Sequence, residues 1–156
     1  MYQKILVPVD GSDTSNRGLD EALRLARLTG AQLRLVHVID ELSLMIGMES
    51  FAALSADTVR LLREGGQQIL ADARRRAAAA GVQAETVLVD SFTTGVCDEI
   101  LRQCDQWGAD LVVLGTHGRR GVRRLFMGSD AEQIVRLAAT PVLLVRAAGK
   151  PVIVSG

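Results

Sequence analysis

The sequence of 156 residues has few aromatic residues, no excess of either charge and no long apolar segment. Aromatic residues make up 3% of the chain and none is placed for base stacking, while Lys plus Arg and Asp plus Glu number 18 each. Nucleic acid is therefore not an expected partner. Because no apolar run approaches the ~20 residues of a membrane helix, a membrane is not expected either. The chain enters a strand-like run at once, without the layout of a signal peptide, so we expect a cytoplasmic protein.

The sequence contains only two cysteines, Cys97 and Cys104, and they lie on one predicted helix. Their spacing of seven residues corresponds to two helical turns, or ~10 Å along the helix axis, which is too far for a disulfide. The spacing is also not one that metal ligands use. We expect two reduced, partly buried thiols and no metal site.

Short apolar runs alternate with helical patterns along the chain, which is typical of an α/β fold. The alternation predicts one domain, 1–156, built on a doubly wound parallel sheet of five strands in the order 3-2-1-4-5, with helices on both faces. Gly30 is expected to end the first helix, Gly65 and Gly66 to bend or split the second, and Gly81 to end it. The predicted strands are 3–9, 32–39, 83–89, 110–114 and 141–145, and the later helices are 51–80, 95–107 and 129–139.

A glycine-rich segment follows the fourth strand, at the point where this topology places ligands. The first and fourth strands end at Asp10 and Gly115, which flank the switch point of the predicted sheet. Gly115-Thr116-His117-Gly118 is followed after nine residues by Gly128-Ser129, where a helix begins. Unpaired N–H groups and the helix dipole favour an anion there, so the segment predicts a phosphate site. The alternative is a set of turn glycines in a long loop.

The charged residues near these glycines are of both signs. Arg119, Arg120, Arg123 and Arg124 could neutralise a triphosphate or form a solvated basic face. Asp130, one residue into the helix, would repel a phosphate unless Mg²⁺ or an arginine intervenes. His117 has no visible acid or nucleophile paired with it and is expected to be a polar loop residue.

Four segments of the chain resemble the universal stress protein family. They are 4–12, 35–40, 108–118 and 141–145, and together they extend over almost the whole sequence. The spacing of the family's ATP-binding branch, G-x2-G-x9-G-[ST], is met by Gly115, Gly118, Gly128 and Ser129. The resemblance implies the five-stranded fold and a stress-linked regulatory role rather than catalysis.

The resemblance further implies ATP, with or without Mg²⁺, at the glycine segment, an unidentified protein partner, and a homodimer that pairs through the last strand, Val142 to Val145. Asp10 would accept a hydrogen bond from a ribose hydroxyl and Val38 would contact adenine. Independently of the resemblance, the apolar, methionine-bearing segment at 41–50 predicts a flap over a ligand or over a partner. Together with the reasoning from the residues themselves, the resemblance gives the predicted nucleotide-binding residues Pro8, Val9, Asp10, Val38, Leu114, Gly115, His117, Gly118, Arg119, Gly128, Ser129 and Asp130.

Three alternatives to this function remain open from the sequence. The protein could be a slow ATPase, or phosphorylate itself on Thr116 or Ser129, with His117 as the only candidate base. It could be a dimeric interaction module without a nucleotide. A phospho-receiver domain would use Asp10, Asp90 and Thr116, but Gly11 stands where a second acidic residue is needed and Arg146 ends the strand where a lysine would follow.

Overall fold

The computed structural model describes residues 1–41, 55–116 and 129–146. Within these ranges the five strands are all parallel and lie in the order β3-β2-β1-β4-β5, which confirms the predicted sheet. The elements in chain order are β1 Lys4–Pro8, α1 Asp13–Thr29, β2 Gln32–Asp40, α2 Ala56–Ala79, β3 Ala84–Ser91, α3 Val96–Trp107, β4 Leu111–Thr116, α4 Ser129–Leu137 and β5 Val142–Arg146.

The sheet is covered by helices on both faces, as predicted. Alternate residues of the central strands belong to two separate clusters, so that Ile5 and Val7 face α1 and α2 while Leu6 faces α3 and α4. All three side chains are fully buried. Burial on both faces explains why the strands read as nearly continuous apolar runs.

Most helix ends follow signals that are present in the sequence. Ser12 and Ser55 cap α1 and α2 through their side chains, and Gly30 ends α1 in a left-handed conformation. Gly81 ends α2 with a φ of 73°, and the next residue, Val82, donates a backbone hydrogen bond to the Ala77 carbonyl. This is the pairing of a Schellman motif, and it confirms the predicted role of Gly81.

Two predicted boundaries were wrong. The second helix begins after its cap, Ser55, and not at residue 51; residues 51–54 lie outside the described ranges. The fourth strand continues through Gly115 and Thr116, which pair with β5. Gly115, the first glycine of the motif, therefore lies in the strand and not in a loop, because the pairing of β4 with β5 extends beyond the apolar run. The other predicted ends agree with the structure to within two residues.

The expectation that Gly65 and Gly66 would split α2 was wrong, because the helix is continuous through both. Gly66 is buried, and a Cβ there would lie 2.7 Å from Leu88 Cδ1 and 2.8 Å from His37 Cδ2. Gly65 has no atom within 4 Å of the corresponding position. Only Gly66 is therefore needed for the close approach of α2 to the sheet.

Both cysteines are free and buried on α3, in agreement with the prediction of reduced thiols. Burial, with a smaller contribution from Asp105, raises the pKa of the Cys104 thiol to about 11. Burial also raises the pKa of Cys97. Because the thiolate is the reactive form, neither residue is expected to act as a nucleophile at neutral pH.

Exchanging Gly65 and Gly66 for alanine, one at a time, separates the effect of helix propensity from the effect of packing. Gly65→Ala should raise the free energy of unfolding by about 0.5–1 kcal/mol, because alanine loses less backbone entropy. Gly66→Ala should lower it by about 1–3 kcal/mol, because the new methyl group overpacks the contact with His37. Urea unfolding, monitored by the fluorescence of the single tryptophan, measures the change in free energy of unfolding for each variant. Shifts of equal sign would contradict this assignment.

Candidate functional site

A cavity of about 460 Å³ lies beyond the carboxyl ends of β1, β2 and β4, where the order of the strands reverses. Its volume falls within the usual range for small-molecule sites. A groove of about 780 Å³ lies at the opposite edge, beside Gln32 and Trp107, but it is formed by the amino ends of strands. Ligands of open α/β sheets bind beyond the carboxyl ends, so we regard the smaller cavity as the candidate site.

The turn after β1 is held by hydrogen bonds to β2 and α1 and by one within the turn. The Val9 N–H donates to the Val36 carbonyl of β2 at 2.8 Å. The Asp10 N–H donates to Ser15 Oγ at 3.1 Å, and Asp10 Oδ1 accepts from the Ser12 N–H at 2.9 Å. These contacts fix the exposed Asp10 carboxylate at the rim of the cavity, where it can accept a further hydrogen bond from a ligand hydroxyl.

His37 connects this turn to α2. Its Nδ1 lies 2.7 Å from the Val9 carbonyl oxygen. Since a carbonyl only accepts, Nδ1 carries the proton in this contact. The other side of the ring packs against Gly66. His37 is thus a structural histidine with its hydrogen bond satisfied, and it also lies in the cavity wall.

Gly115 is required by the packing of α1 against β4. A Cβ on Gly115 would lie 1.8 Å from the Thr14 carbonyl oxygen, and one on Gly18 would lie 2.7 Å from the Gly115 nitrogen. Both distances are shorter than any tolerated contact, and backbone atoms cannot move aside as a side chain can. The first glycine of the motif therefore has a structural reason that the sequence did not suggest.

Asp130 caps a helix other than its own. It lies half-buried in the first turn of α4, and its carboxylate accepts a hydrogen bond from the Cys97 N–H at the start of α3. The cap residue of α3 is Gly95, which provides no side-chain hydrogen bond. Burial, and then the charge of Asp40, raise the pKa of Asp130, while the Cys97 N–H acts in the opposite direction.

Glu41, directly after β2, is a fully buried carboxylate. Neither of its oxygens has a hydrogen-bond partner within the described part of the chain. Burial, and then the negative charge of Asp90, raise the pKa of Glu41, and Arg63 opposes them. Arg63 is itself paired with Asp90 at 2.5 Å. A buried carboxylate without a partner is costly, so Glu41 is a source of instability at the base of the segment that follows.

Seven of the sequence-predicted site residues line the cavity: Pro8, Val9, Asp10, Val38, Leu114, Gly115 and Asp130. His117, Gly118, Arg119 and Gly128 lie outside the described residues, as do Arg120, Arg123, Arg124, most of the 41–50 flap and the tail from 147. Ser129 begins α4, but its side chain is outside the description.

Sequence reasoning missed the lining residues of α3 and most of those at the start of α1 and α4. The sequence did contain a signal for α3. This helix connects the third strand to the fourth, so its first turn must lie at the carboxyl ends of the strands, beside the cavity. The residues missed as ligand contacts are Ser12, Thr14, Ser15, Val36, His37, Val96, Ile100, Thr116, Ala131 and Ile134.

No helix of the described residues is long and apolar enough to cross a membrane. No group of three or more His, Cys, Asp or Glu side chains in these ranges is arranged to hold a metal ion.

The family model for the universal stress protein family matches residues 1–146. The chain belongs to this family. The universal stress protein YxiE of Bacillus subtilis (strain 168) is 34% identical over 151 residues, an alignment that includes 94% of this chain and 100% of YxiE. The family resemblance read from the sequence is thereby confirmed.

Solved structures of other family members have the same fold. One from Burkholderia pseudomallei has a TM-score of 0.75 and 33% identity, over 94% of this chain and 97% of that one. A universal stress protein solved in complex with cAMP has a TM-score of 0.67 and 25% identity, over 94% of this chain and 98% of that one.

Glu41 should make the stability of this universal stress protein depend on pH. Because its pKa is raised in the folded state, folded protein holds this proton more tightly than unfolded chain, and stability falls as pH rises through the usual value of 4.5 towards the raised one. Glu41→Gln should remove that fall and raise the free energy of unfolding at pH 7. Urea unfolding at pH 4 and pH 7 measures the difference.

Glu64→Gln provides the matched control, because Glu64 is exposed on α2 and forms only a long ion pair with Arg60. Exposed pairs of this kind contribute about 0–1 kcal/mol. If the free energies of unfolding of the parent and of Glu41→Gln differ by the same amount at both pH values, the Glu41 carboxyl group is not the cause of the pH dependence.

Proposed function

We propose that this universal stress protein is a cytoplasmic stress-response regulator that binds ATP in the cavity between the carboxyl ends of β1 and β4. The observation that carries the proposal is the convergence at this one cavity of the Asp10 turn, the end of β4 and the first turn of α4. The complex of a related universal stress protein with cAMP supports an adenine nucleotide as the ligand class.

In this proposal the apolar half of the cavity receives the base. Val38 at the end of β2 faces the first turns of α3 and α4, which contribute Val96, Ile100 and Ile134. Ile100 and Ile134 are buried and belong to one core cluster, so the wall that they form is rigid. Asp10, fixed by Ser12, accepts a ribose hydroxyl.

The phosphates are proposed to bind toward the start of α4. The N-terminus of this helix offers N–H groups and a favourable dipole. Gly118, Gly128 and Ser129 would let backbone donors approach the phosphates, and His117 and Arg119 would add polar contacts. Leu114 and Gly115 at the end of β4 form the floor of the cavity.

A homodimer through β5 completes the proposal. β5 is an edge strand of the described sheet, and its residues from Val142 to Val145 are only half-buried. An edge with apolar side chains favours pairing with another strand. ATP would change the surface that this dimer offers to an unidentified protein partner.

Calorimetry on nucleotide-stripped protein tests the binding proposal. The parent should bind Mg-ATP, and Val38→Phe should weaken binding at least about tenfold by filling the base end of the cavity. Gly118→Val should weaken it comparably if the glycine pattern receives phosphates. Val135→Phe adds the same ring to the exposed face of α4 and should bind as the parent does.

Absence of binding in the parent at millimolar ATP would overturn the proposed function. Binding that Val38→Phe leaves unchanged would place the nucleotide elsewhere on the protein. Timed ADP release from the same samples distinguishes simple binding from slow hydrolysis, since release above the blank would require the enzyme alternative.

A pair of substitutions at one position tests the dimer. The Val112 N–H donates to the Pro141 carbonyl, so the peptide group of Leu144 is expected to face away from β4. Leu144→Pro should give a monomer in analytical ultracentrifugation, because proline removes an outward N–H. Leu144→Ala loses the same side chain but keeps the N–H, and it should remain dimeric. Pairing through this strand would be contradicted if both variants remained dimeric or if the parent were a monomer.

A further inference from the structure

The described sheet has a second open edge, at β3, on the side opposite to β5. The pairing of β2 with β3 uses the peptide groups of alternate β3 residues, since the Leu33 N–H donates to the Gln83 carbonyl and Leu33 lies opposite Ala84. The N–H and C=O groups of Ala84, Thr86 and Leu88 are therefore expected to point away from β2, off the edge of the sheet. Peptide groups in this position can hydrogen-bond to an added strand.

β3 has few of the features that protect an edge strand from pairing. It is eight residues long, against about five to six for a typical strand, and it contains neither proline nor lysine. Its two acidic residues are both held in ion pairs. Glu85 pairs with Arg34 and Asp90 pairs with Arg63. Thr86 is exposed, so the middle of the strand is accessible.

A groove of about 540 Å³, which we call the β3 groove, lies between this edge and α2. On the strand side it is lined by Thr86 and Leu88, two of the residues whose peptide groups face outward. Arg74 and Ala78 of α2 line both the β3 groove and the groove of about 780 Å³ at the amino ends, which also includes Ala84. The same strand residues thus offer side chains and peptide groups to two adjoining grooves.

The charge of these grooves favours an acidic occupant. Of the charged residues that line them, Glu85 and Arg75 are held in ion pairs. Arg74 is exposed and forms no ion pair within the described residues. Outside those residues the sequence has one acidic side chain, Glu49, in the connection at the carboxyl end of β2, whereas Arg74 lines the grooves towards the amino ends. A second copy of this chain would bring another Arg74 to the same edge, so an acidic partner fits better.

We propose that the open edge of β3 is a docking site for an extended, acidic segment of a partner protein, which adds to the sheet as a further strand and places a carboxylate against Arg74. The inference is independent of the nucleotide site, and it gives a position to the protein partner that the proposed function includes. Main-chain hydrogen bonds supply the affinity, while the charge of Arg74 and the apolar side chain of Leu88 select the sequence.

Fluorescence anisotropy with synthetic peptides tests the docking site. The probe is a fluorescein-labelled peptide of eight residues, the length of β3, in which valine and threonine alternate around one glutamate near the centre. The full-length protein should bind it, and lysine in place of that glutamate should weaken binding about three- to tenfold.

Two further peptides carry methyl groups on alternate amide nitrogens and so test the hydrogen bonds. An added strand turns only every second N–H toward the sheet. One methylated version should therefore keep the affinity of the unmodified peptide, and the other should lose at least about tenfold. Equal affinities of the two versions would overturn strand addition.

Variants of the protein test the two features that the proposal uses. Arg74→Glu should reverse the preference, so that the lysine peptide binds more tightly than the glutamate peptide. Arg27→Glu makes the same change of charge at an exposed position on α1, outside both grooves, and should keep the parent's preference. Thr86→Pro should weaken every peptide at least about tenfold, because proline removes an outward N–H. Thr86→Ala keeps that N–H and should change affinity by less than about threefold.

The other outcomes are equally distinct. A preference that Arg74→Glu leaves unchanged, or no binding of any peptide at millimolar concentration, would overturn the inference. If Thr86→Pro lowers the oligomeric state of the parent in analytical ultracentrifugation, a second copy occupies the edge and the inference fails. Should Thr86→Pro unfold, the methylated peptides on the parent decide. Calorimetry with Mg-ATP keeps the two proposals apart, because Arg74→Glu should bind the nucleotide as the parent does whatever the peptides show.

Discussion

The structure depends most on the close approach of α1 to the end of β4. Thr14 and Gly18 bring helix backbone against Gly115, at distances where no Cβ fits. Because Thr14 and Gly115 both line the cavity, this packing contact also fixes the distance between its walls. The same glycine therefore serves the fold and shapes the site, and its role cannot be assigned to ligand contact alone.

A second close approach on the same face acts on the site through one side chain. Gly66 lets α2 reach His37, and His37 holds the Val9 carbonyl at the turn that presents Asp10. The turn is thus fixed both by its own hydrogen bonds and by the packing of a helix that makes no contact with the cavity. Support of this kind from outside the site is what keeps a binding geometry rigid.

The sequence was sufficient to predict the sheet, its strand order and the edge at which the cavity lies, because these follow from apolar periodicity and from the handedness of the crossovers. It was not sufficient to explain Gly115 and Gly66, since both owe their identity to atoms distant in the chain. The start of α2 was misjudged because the cap signal at Ser55 was not recognised in the sequence. The capping of α3 by Asp130 could not be foreseen, because it joins two helices that pack only in the folded state.

Glu41, Asp40 and Asp130 together make the carboxyl edge of the sheet unusually acidic for a place where helix N-termini meet. Dipoles there favour anions, and the buried carboxylates already occupy part of that field. Glu41 is buried and its oxygens have no hydrogen-bond partner within the described residues, an arrangement that costs free energy unless a partner is supplied. An anionic ligand would enter a field that is partly neutralised in advance, so its affinity depends on the net charge that it brings.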